Sequence, residues 1–268
     1  GGGDGWCEEP GPYLWNLFAD ELHEALEDKW EGLSTEGFAD DTVIVSAGKC
    51  LETARDNMQR ALEIAEQWQN KHQLRFAPGK TVVIIFTRKQ KFTVPERLVL
   101  NEIKLPYSNK HKHLGVYLDS KLSPLHHVEM KIKEGKSIIV RLASIMGKIW
   151  GLKPSSALWL YKTVARPIVA YASLIWHKAV FAGHNRDRLR KFQRFALMQL
   201  GYFRHKTPGA ALEVIGNVMP LDMHILYDAT CSYLRTRGHE KFTEDEMWPK
   251  KPKKKGQTQT NRELAREG

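Results

Sequence analysis

The first half of the chain alternates between helix-like and strand-like patterns of hydrophobic residues. Apolar residues recur at spacings of three and four from Tyr13 to Trp30 and again over residues 51–73, which predicts two amphipathic helices. Between these helices, two short apolar stretches flank the pair Asp40-Asp41, a pattern typical of a β-hairpin with the acidic residues at its turn. Runs of β-branched and apolar residues predict further short strands, at residues 81–87, 97–105 and 113–118.

The second half of the chain has helical periodicity throughout. Apolar positions predict five helices, at residues 126–149, 154–182, 185–201, 207–215 and 221–238. The second of these should break near Pro167, because proline lacks the backbone N–H that a helix interior requires. The order of elements predicts an α+β unit over residues 1–122, an all-α unit over residues 123–247 and a basic, disordered tail over residues 248–268.

Composition and charge narrow the class of partner. The chain has 268 residues, of which 42% are hydrophobic and 27% charged, so it can bury a core and global disorder is disfavoured. The net charge is +10, but residues 1–45 hold twelve acidic residues and one lysine, a net of −11, and the remaining residues therefore carry +21. This excess of positive charge favours a polyanionic partner such as nucleic acid.

Other classes of protein are disfavoured by features that the chain lacks. No apolar run reaches the ~18 residues needed to span a membrane, so no membrane association is expected. Three widely spaced cysteines without a Cys-x-x-Cys pair argue against a disulfide framework or a cysteine zinc site and favour an intracellular protein. The lysine-rich residues 250–255 suggest a nuclear localisation signal or a tail that binds nucleic acid, although a tail that only increases solubility is at least as good an alternative. We expect a nuclear protein that passes through the cytoplasm.

The adjacent carboxylates Asp40 and Asp41 have two interpretations. Aspartate is common in solvated turns, and this is the plainer interpretation of the pair taken alone. The alternative is a site for a divalent cation, because Mg²⁺ prefers oxygen ligands and needs only one or two carboxylates when substrate phosphates supply the rest. Two such ions about 3.5–4 Å apart can activate a 3′-hydroxyl group and stabilise a departing pyrophosphate.

Phe38-Ala39-Asp40-Asp41 is one of six segments that point to a single family. The other five segments lie at residues 11–17, 74–81, 113–119, 151–171 and 208–221. The six segments resemble parts of the reverse transcriptases of non-LTR, LINE-like retrotransposons of the jockey type. Residues 38–41 resemble the aromatic-x-Asp-Asp motif. The other five, in the order given, resemble the end of the second palm motif, the fourth palm motif, the primer grip, the thumb and the region beyond the thumb. The resemblance covers residues 11–238 and implies a partial palm, with helices on a short antiparallel sheet, followed by a helical thumb.

The resemblance implies roles for residues of the N-terminal half. Asp40 is implied to bind the catalytic metal ions, Mg²⁺ or Mn²⁺, with Asp41 as its less demanding partner. Phe38 is implied to lie beside the nucleotide and the primer end. Lys80 corresponds to a lysine near the incoming triphosphate and is a candidate proton donor to pyrophosphate, although a plain surface lysine is an equal alternative.

Further candidates come from the primer grip and from a basic helix. Leu114 and Gly115 are implied to shape the primer grip, with a plain core role for Leu114 as the alternative. The predicted helix over residues 185–201 carries candidate contacts to the nucleic-acid backbone, at Arg186, Arg190, Lys191 and Arg194. A solvated basic face is the plainer interpretation of this helix. The net charge of +21 on residues 46–268 favours the alternative, in which the helix contacts phosphates.

The function implied is an RNA-directed DNA polymerase that adds dNTPs to a DNA primer on an RNA template and holds the RNA–DNA hybrid. The third catalytic aspartate of the family belongs upstream of the first helix, and the glycine-rich start of the second motif is not recognisable in residues 5–11. We therefore expect a fragment that is inactive alone. One alternative is a decayed or domesticated protein that only binds nucleic acid. Another is an unrelated Asp-Asp metal hydrolase, which the downstream segments disfavour.

Overall fold

The computed structural model describes residues 11–27, 32–87, 89–145, 153–201 and 206–237. The chain divides into two units. The N-terminal unit comprises the residues up to His111 together with Asp119–Leu122, and the C-terminal unit comprises Lys112–Leu118 together with the residues from Ser123 onward. The described residues contain helices and three two-stranded sheets, which confirms the predicted mixture of α and β structure.

The N-terminal unit begins with two helices and the hairpin between them. Helix α1 spans Gly11–Glu27, strands β1 and β2 span Leu33–Phe38 and Asp41–Ser46, and helix α2 spans Leu51–Lys71. These elements pack together through buried apolar side chains of both helices and of β1. Their buried core consists of Leu22, Leu26, Leu33, Ala61, Ala65 and Trp68.

The other side of α2 supports a second, very short hairpin. Strands β3 and β4 span Val99–Leu100 and Ile103–Lys104. The Gln59 side-chain amide donates to the Val99 carbonyl at 3.2 Å and accepts from the Val99 N–H at 2.9 Å, so it takes the place of a neighbouring strand. A second small core forms beneath this hairpin, from Leu62, Leu98, Leu100 and Leu105.

Residues 81–87 do not form the strand that their composition predicts. Val83 makes a single parallel bridge with Tyr107, in which the Val83 N–H donates to the Pro106 carbonyl at 3.1 Å and the Val83 carbonyl accepts from the Ser108 N–H at 2.9 Å. Most of these side chains are half-buried, and Phe86 is 44% exposed. β-Branched residues favour a pleated, half-buried surface, but a strand also requires a partner strand with a free edge.

A third hairpin lies at the boundary between the two units. Strand β5 spans Lys110–His113 and strand β6 spans Val116–Asp119, and the residues at the tip belong to the C-terminal unit. We predicted a boundary near residues 120–124, and the division of the chain runs between Leu122 and Ser123 apart from this tip. The tip groups with the helices because it packs against them, a long-range contact that sequence order does not indicate.

The C-terminal unit is built around one long buried helix. This central helix is α7, which spans Gly183–Gly201, and helix α3, which spans Pro124–Ile145, packs against it. Gly135 allows these two helices to approach closely, since a Cβ atom there would lie 2.9 Å from Cζ of Phe192. The apolar residues of α7 that are completely buried are Leu189, Phe192, Ala196, Leu197 and Leu200.

The segment between α3 and α7 contains the break that the sequence predicts, but at a different residue. Helix α4 spans Pro154–Leu160, continues through a π-helical turn at Tyr161–Ala165 and then into helix α5, Arg166–Ala170. Pro167 lies in the first turn of α5, and the wider π turn before it accommodates the missing N–H. The chain instead breaks at Tyr171 and at Ala172, whose φ of 55° is left-handed.

The remaining elements complete the helical unit. Helix α6 (Ser173–Trp176) is followed by a 3₁₀ turn at His177–Phe181, and the chain continues after α7 with helices α8 (Gly209–Ile215) and α9 (Leu221–Arg237). The helices predicted by periodicity are thus observed near their expected positions. The predicted tail over residues 248–268 lies outside the described residues. Among the described helices, none is long and apolar enough to cross a membrane.

Candidate functional site

The Asp-Asp pair lies at a tight hairpin turn, as the sequence predicts. Phe38 at the end of β1 pairs with Asp41 at the start of β2, so only Ala39 and Asp40 form the loop. Ala39 has a φ of 52°, which an L-residue adopts only at a cost. Both carboxylates are exposed, and the Phe38 side chain is 65% exposed beside them.

Helix α1 supports this turn from one side. The indole N–H of Trp15 donates a hydrogen bond to the carbonyl of Ala39, in the loop itself. Nδ1 of His23 lies 2.9 Å from Oγ1 of Thr35, a buried residue of β1. Gly37 allows the helix to lie close to the strand, since a Cβ atom there would be 2.6 Å from Nε2 of His23. The turn is therefore fixed through its backbone, while its acidic side chains project freely.

The oxygen atoms at this turn suit a hard divalent cation. No side chain among the described residues forms an ion pair or a hydrogen bond with Asp40 or Asp41. A group of three or more metal-ligating side chains is likewise absent from the part of the chain that the structure describes. Two carboxylates fit Mg²⁺ only if water and substrate phosphates supply its other ligands.

Lys80 belongs to the same unit but to a different loop. It is exposed, and it lies in the turn after Pro78, where its N–H donates to the Ala77 carbonyl at 3.0 Å. The Thr81 hydroxyl donates to the same carbonyl at 3.0 Å. The local bonds fix the backbone of this loop and leave the ammonium group in solvent.

Leu114 and Gly115, the candidates for the primer grip, form a second turn in the C-terminal unit, within residues 113–118 where a strand was predicted. Both residues are left-handed, with φ of 44° for Leu114 and 79° for Gly115, as a two-residue type I′ hairpin loop requires. Leu114 is 39% exposed, so its side chain does not fill a core. The core alternative for Leu114 is therefore wrong.

A network of polar side chains connects this hairpin with helix α3. The Tyr117 hydroxyl donates to Oε1 of Glu134 at 2.7 Å, and Nζ of the buried Lys131 lies 3.0 Å from Oε2. Nζ of Lys112 lies 3.5 Å from the same carboxylate. Burial acts to raise the pKa of Glu134, but these hydrogen bonds and lysine charges outweigh it, so that the pKa lies below its usual value.

His127 and Tyr171 form the other half of this network. The Tyr117 N–H donates to Nδ1 of His127 at 3.1 Å, and Nε2 of the same ring lies 3.3 Å from the Tyr171 carbonyl. Because Nδ1 accepts, the proton is assigned to Nε2, and the ring is neutral. Burial lowers the pKa of His127 below its ordinary value and favours this neutral form.

Sequence reasoning gave these residues no functional role. The pair His126-His127 has no cysteine or carboxylate at ligand spacing, so the sequence assigns it no metal site. Tyr171 has the helical spacing of a core residue, but its side chain is 46% exposed. Their partners lie 57 residues away for the pair Tyr171–Leu114 and 44 residues away for His127–Tyr171, so local pattern carries no signal for either contact.

An open groove of about 390 Å³ beside Tyr171 is lined by Lys131, Glu134, Ser137, Ile138, Arg141 and Ile168.

The basic residues of α7 divide into two groups. Arg190 is bonded to the buried carboxylate of Asp222 at 2.9 Å, and Arg194 donates from Nε to the Thr207 carbonyl at 3.2 Å. These two side chains therefore connect α7 with neighbouring segments. Arg186 and Lys191 are exposed, and Lys191 lines a small groove with Lys136 of α3.

The comparisons with known proteins agree with the resemblance noted in the sequence. Residues 9–118 match the family model described as "Reverse transcriptase (RNA-dependent DNA polymerase)". A "Retrovirus-related Pol polyprotein from type-1 retrotransposable element R1" of Bradysia coprophila is 23% identical over 80% of this chain and 21% of that protein. The "RNA-directed DNA polymerase from mobile element jockey" of Drosophila funebris is 22% identical over 67% of this chain and 20% of that protein.

The chain spans about a fifth of the length of these curated relatives. A third relative, the "Probable RNA-directed DNA polymerase from transposon BS" of Drosophila melanogaster, is 22% identical over 93% of this chain and 28% of that protein. No solved structure matches the chain.

Proposed function

We propose that the chain supplies the C-terminal palm and the thumb of an RNA-directed DNA polymerase, because residues 9–118 match the reverse transcriptase family model and the similar curated proteins come from retrotransposons. The observation that carries this proposal is the hairpin turn at Asp40-Asp41, which exposes two carboxylates and an aromatic ring on a backbone that α1 supports. In this proposal residues 1–122, which include the primer grip, correspond to the palm, and residues 123–247 correspond to the thumb and the region beyond it.

The acidic turn is the proposed metal site. Reverse transcriptases use divalent metal ions, and the proposed ions here are Mg²⁺ or Mn²⁺, which activate the primer 3′-hydroxyl and stabilise the departing pyrophosphate when bound. Asp40 is the principal ligand and Asp41 its partner. Their free carboxylates provide the oxygen donors that such an ion prefers.

The remaining candidates each take a separate role in this proposal. Phe38 lies beside the incoming nucleotide and the primer end. Lys80, whose ammonium group is free in solvent, neutralises the triphosphate and donates a proton to pyrophosphate. Leu114 and Gly115 contact the primer, and the exposed Arg186 and Lys191 contact the backbone of the RNA–DNA hybrid.

The proposed metal site can be tested by local cleavage. Fe²⁺ replaces Mg²⁺ in oxygen-ligand sites, and its hydroxyl radicals cut the nearby backbone. We expect cleavage within residues 36–44 when the chain is incubated with a primed RNA template, Fe²⁺ and ascorbate, and loss of that cleavage in Asp40→Asn. The matched control is Glu36→Gln, an exposed carboxylate of the same hairpin. Equal cleavage in wild type and Asp40→Asn contradicts the site.

We also propose that this chain alone does not extend a primer. The reaction requires a third carboxylate in the family, and the described residues do not supply one beside Asp40 and Asp41. The measurement is incubation of the purified chain with primed RNA template, dNTPs and Mg²⁺. Processive extension that disappears in Asp40→Ala overturns the proposal.

The second candidate function is a protein that binds nucleic acid without catalysis. The net charge of +21 beyond residue 45 and the two-carboxylate site favour it. Both candidates predict binding to RNA–DNA hybrid that weakens as salt is raised, because each phosphate contact releases counterions. Only the polymerase predicts Fe²⁺ cleavage at the hairpin, and an absence of binding at low salt contradicts both.

A further inference from the structure

The loop at the tip of the third hairpin adopts a conformation that its sequence does not favour. Leu114 has a φ of 44°, and left-handed backbone is disfavoured for a leucine because its Cβ atom approaches the carbonyl oxygen. Asparagine or glycine is the usual residue at this position of a type I′ loop. Such a conformation persists only where the surrounding structure enforces it.

Tyr171 is the side chain that enforces it. Its hydroxyl donates to the Leu114 carbonyl at 2.7 Å. Its ring lies against Gly115, where a Cβ atom would be 2.9 Å from Cε1 of the tyrosine. The ring therefore contacts both loop residues, one through a hydrogen bond and the other through close packing.

Tyr171 is itself fixed by the helices behind it. It lies where the chain breaks after α5, and its carbonyl accepts a hydrogen bond from the Trp176 indole N–H at 2.9 Å. His127 of α3 donates to the same carbonyl and accepts from the N–H of Tyr117 in β6. The hairpin is thus bonded to the helical unit at its tip through Tyr171 and along its second strand through His127.

We propose that Tyr171 and His127 are positioning residues that hold the Leu114-Gly115 loop in its left-handed conformation and so present the Leu114 side chain to the primer. The contact with the primer rests on the proposed function. The positioning itself depends only on contacts within the C-terminal unit. These contacts fix the backbone of the loop and leave the Leu114 side chain 39% exposed.

The test uses the full chain and the variant Tyr171→Phe, which keeps the ring and removes the hydroxyl. We expect amide hydrogen-exchange protection over residues 113–117 to fall roughly threefold to tenfold, the range for loss of one hydrogen bond. The matched control is Tyr227→Phe, on the exposed face of α9, which should leave this protection unchanged. Unchanged protection in Tyr171→Phe overturns the inference.

A second measurement tests the contact with the primer. A DNA primer that ends in 4-thiothymidine, annealed to an RNA template, should crosslink to residues 112–118 of the wild-type chain on irradiation. Tyr171→Phe should reduce this crosslink severalfold while binding through the basic residues persists. A crosslink that is unchanged in the variant overturns the inference. A wild-type chain that binds no primed template at low salt overturns the proposed function, and the exchange experiment distinguishes that result from a failure of positioning.

Discussion

The two candidate turns have the same length but differ in how many side chains hold them in place. Ala39-Asp40 and Leu114-Gly115 are both two-residue loops that begin with a left-handed residue other than glycine. Trp15 provides the hydrogen bond to the first loop, and the acidic side chains remain unpaired among the described residues. The second loop is fixed by Tyr171, and its hairpin by His127 and Glu134.

The difference corresponds to what each turn is proposed to bind. A turn that binds a cation must keep its carboxylates free of lysine and arginine partners, because an ion pair competes with the metal for the same oxygen atoms. A turn that presents an apolar side chain has no such requirement, and it benefits from a rigid backbone, because less conformational entropy is lost on binding.

The largest effect is expected for Gly115→Ala. The new methyl group must occupy left-handed backbone and lie 2.9 Å from Cε1 of Tyr171, so we expect the variant to lose roughly 2–4 kcal/mol in stability of the C-terminal unit. Urea denaturation followed by hydrogen exchange of separate peptides measures this loss for each unit. Gly79→Ala is the control, because a Cβ atom at Gly79 would meet no other atom within 4 Å. Equal stability of the two variants contradicts the close packing at Gly115.

The next effect is expected for Glu134→Gln. This change leaves the buried ammonium group of Lys131 without its carboxylate and should cost about 1–3 kcal/mol. The amide of glutamine can still accept from Tyr117, so the change tests the charge more than the shape. Glu129→Gln removes an ion pair with Arg188 whose side chains are both more than 40% exposed, and should cost at most about 1 kcal/mol. A cost for Glu134→Gln no greater than that of the control would show that the network contributes little.

A smaller effect should appear as a pH dependence that arises from His127. Burial lowers the pKa of this ring in the folded chain, helped by the charges of Lys131 and His126 and opposed by the Tyr171 bond and Glu134. In the unfolded chain the ring titrates near 6.5 and binds its proton first as the pH falls. The stabilisation is therefore complete above about pH 6.5 and is lost progressively as the pH falls from there to the folded pKa.

The measurement is the urea midpoint of the C-terminal unit between pH 7.5 and pH 5. His127→Gln should reduce the fall in the midpoint over this range. His126→Gln is the control, since that ring packs edge-on against Tyr117 at 5.7 Å, and no hydrogen bond to the hairpin is observed for it in the described structure. Half-buried His224, whose pKa is also lowered by burial, is present in every variant, so its contribution cancels in the comparison. Identical pH profiles for wild type and His127→Gln contradict the assignment of the neutral ring.

Local pattern was sufficient to predict the helices, the first hairpin and the place of the acidic pair. Each depends on spacing within one segment, as in α2, where apolar residues repeat along one face. It failed for residues 81–87, because a strand depends on a partner from elsewhere in the chain. It also predicted the helix break near Pro167, whereas the chain breaks at Tyr171 and Ala172, after a π turn that accommodates this proline and contains the buried Tyr161.

The support of the two turns could not be predicted for a related reason. Tyr171, His127 and Trp15 act through contacts with residues 24 to 57 positions away, and a single sequence gives no register for such contacts. The motifs located the Asp40-Asp41 turn and the segment that holds Leu114 and Gly115, because each motif lies within one short stretch of sequence. They did not indicate which neighbouring side chains hold each turn in place.

The smallest effect is expected for Trp15→Phe, at the lightly supported turn. The variant loses the indole hydrogen bond to the Ala39 carbonyl, and because Trp15 and Ala39 lie near the surface we expect a cost of about 0.5 kcal/mol, the lower end for a hydrogen bond. Exchange protection over residues 36–43 should therefore change less than protection over residues 113–117 changes in Tyr171→Phe. Fe²⁺ cleavage at the turn should remain, because the ligands are the side chains of Asp40 and Asp41. A larger loss of protection in Trp15→Phe than in Tyr171→Phe would mean that both turns are rigidly held. The freedom of the carboxylates would then have to come from the absence of charged partners alone.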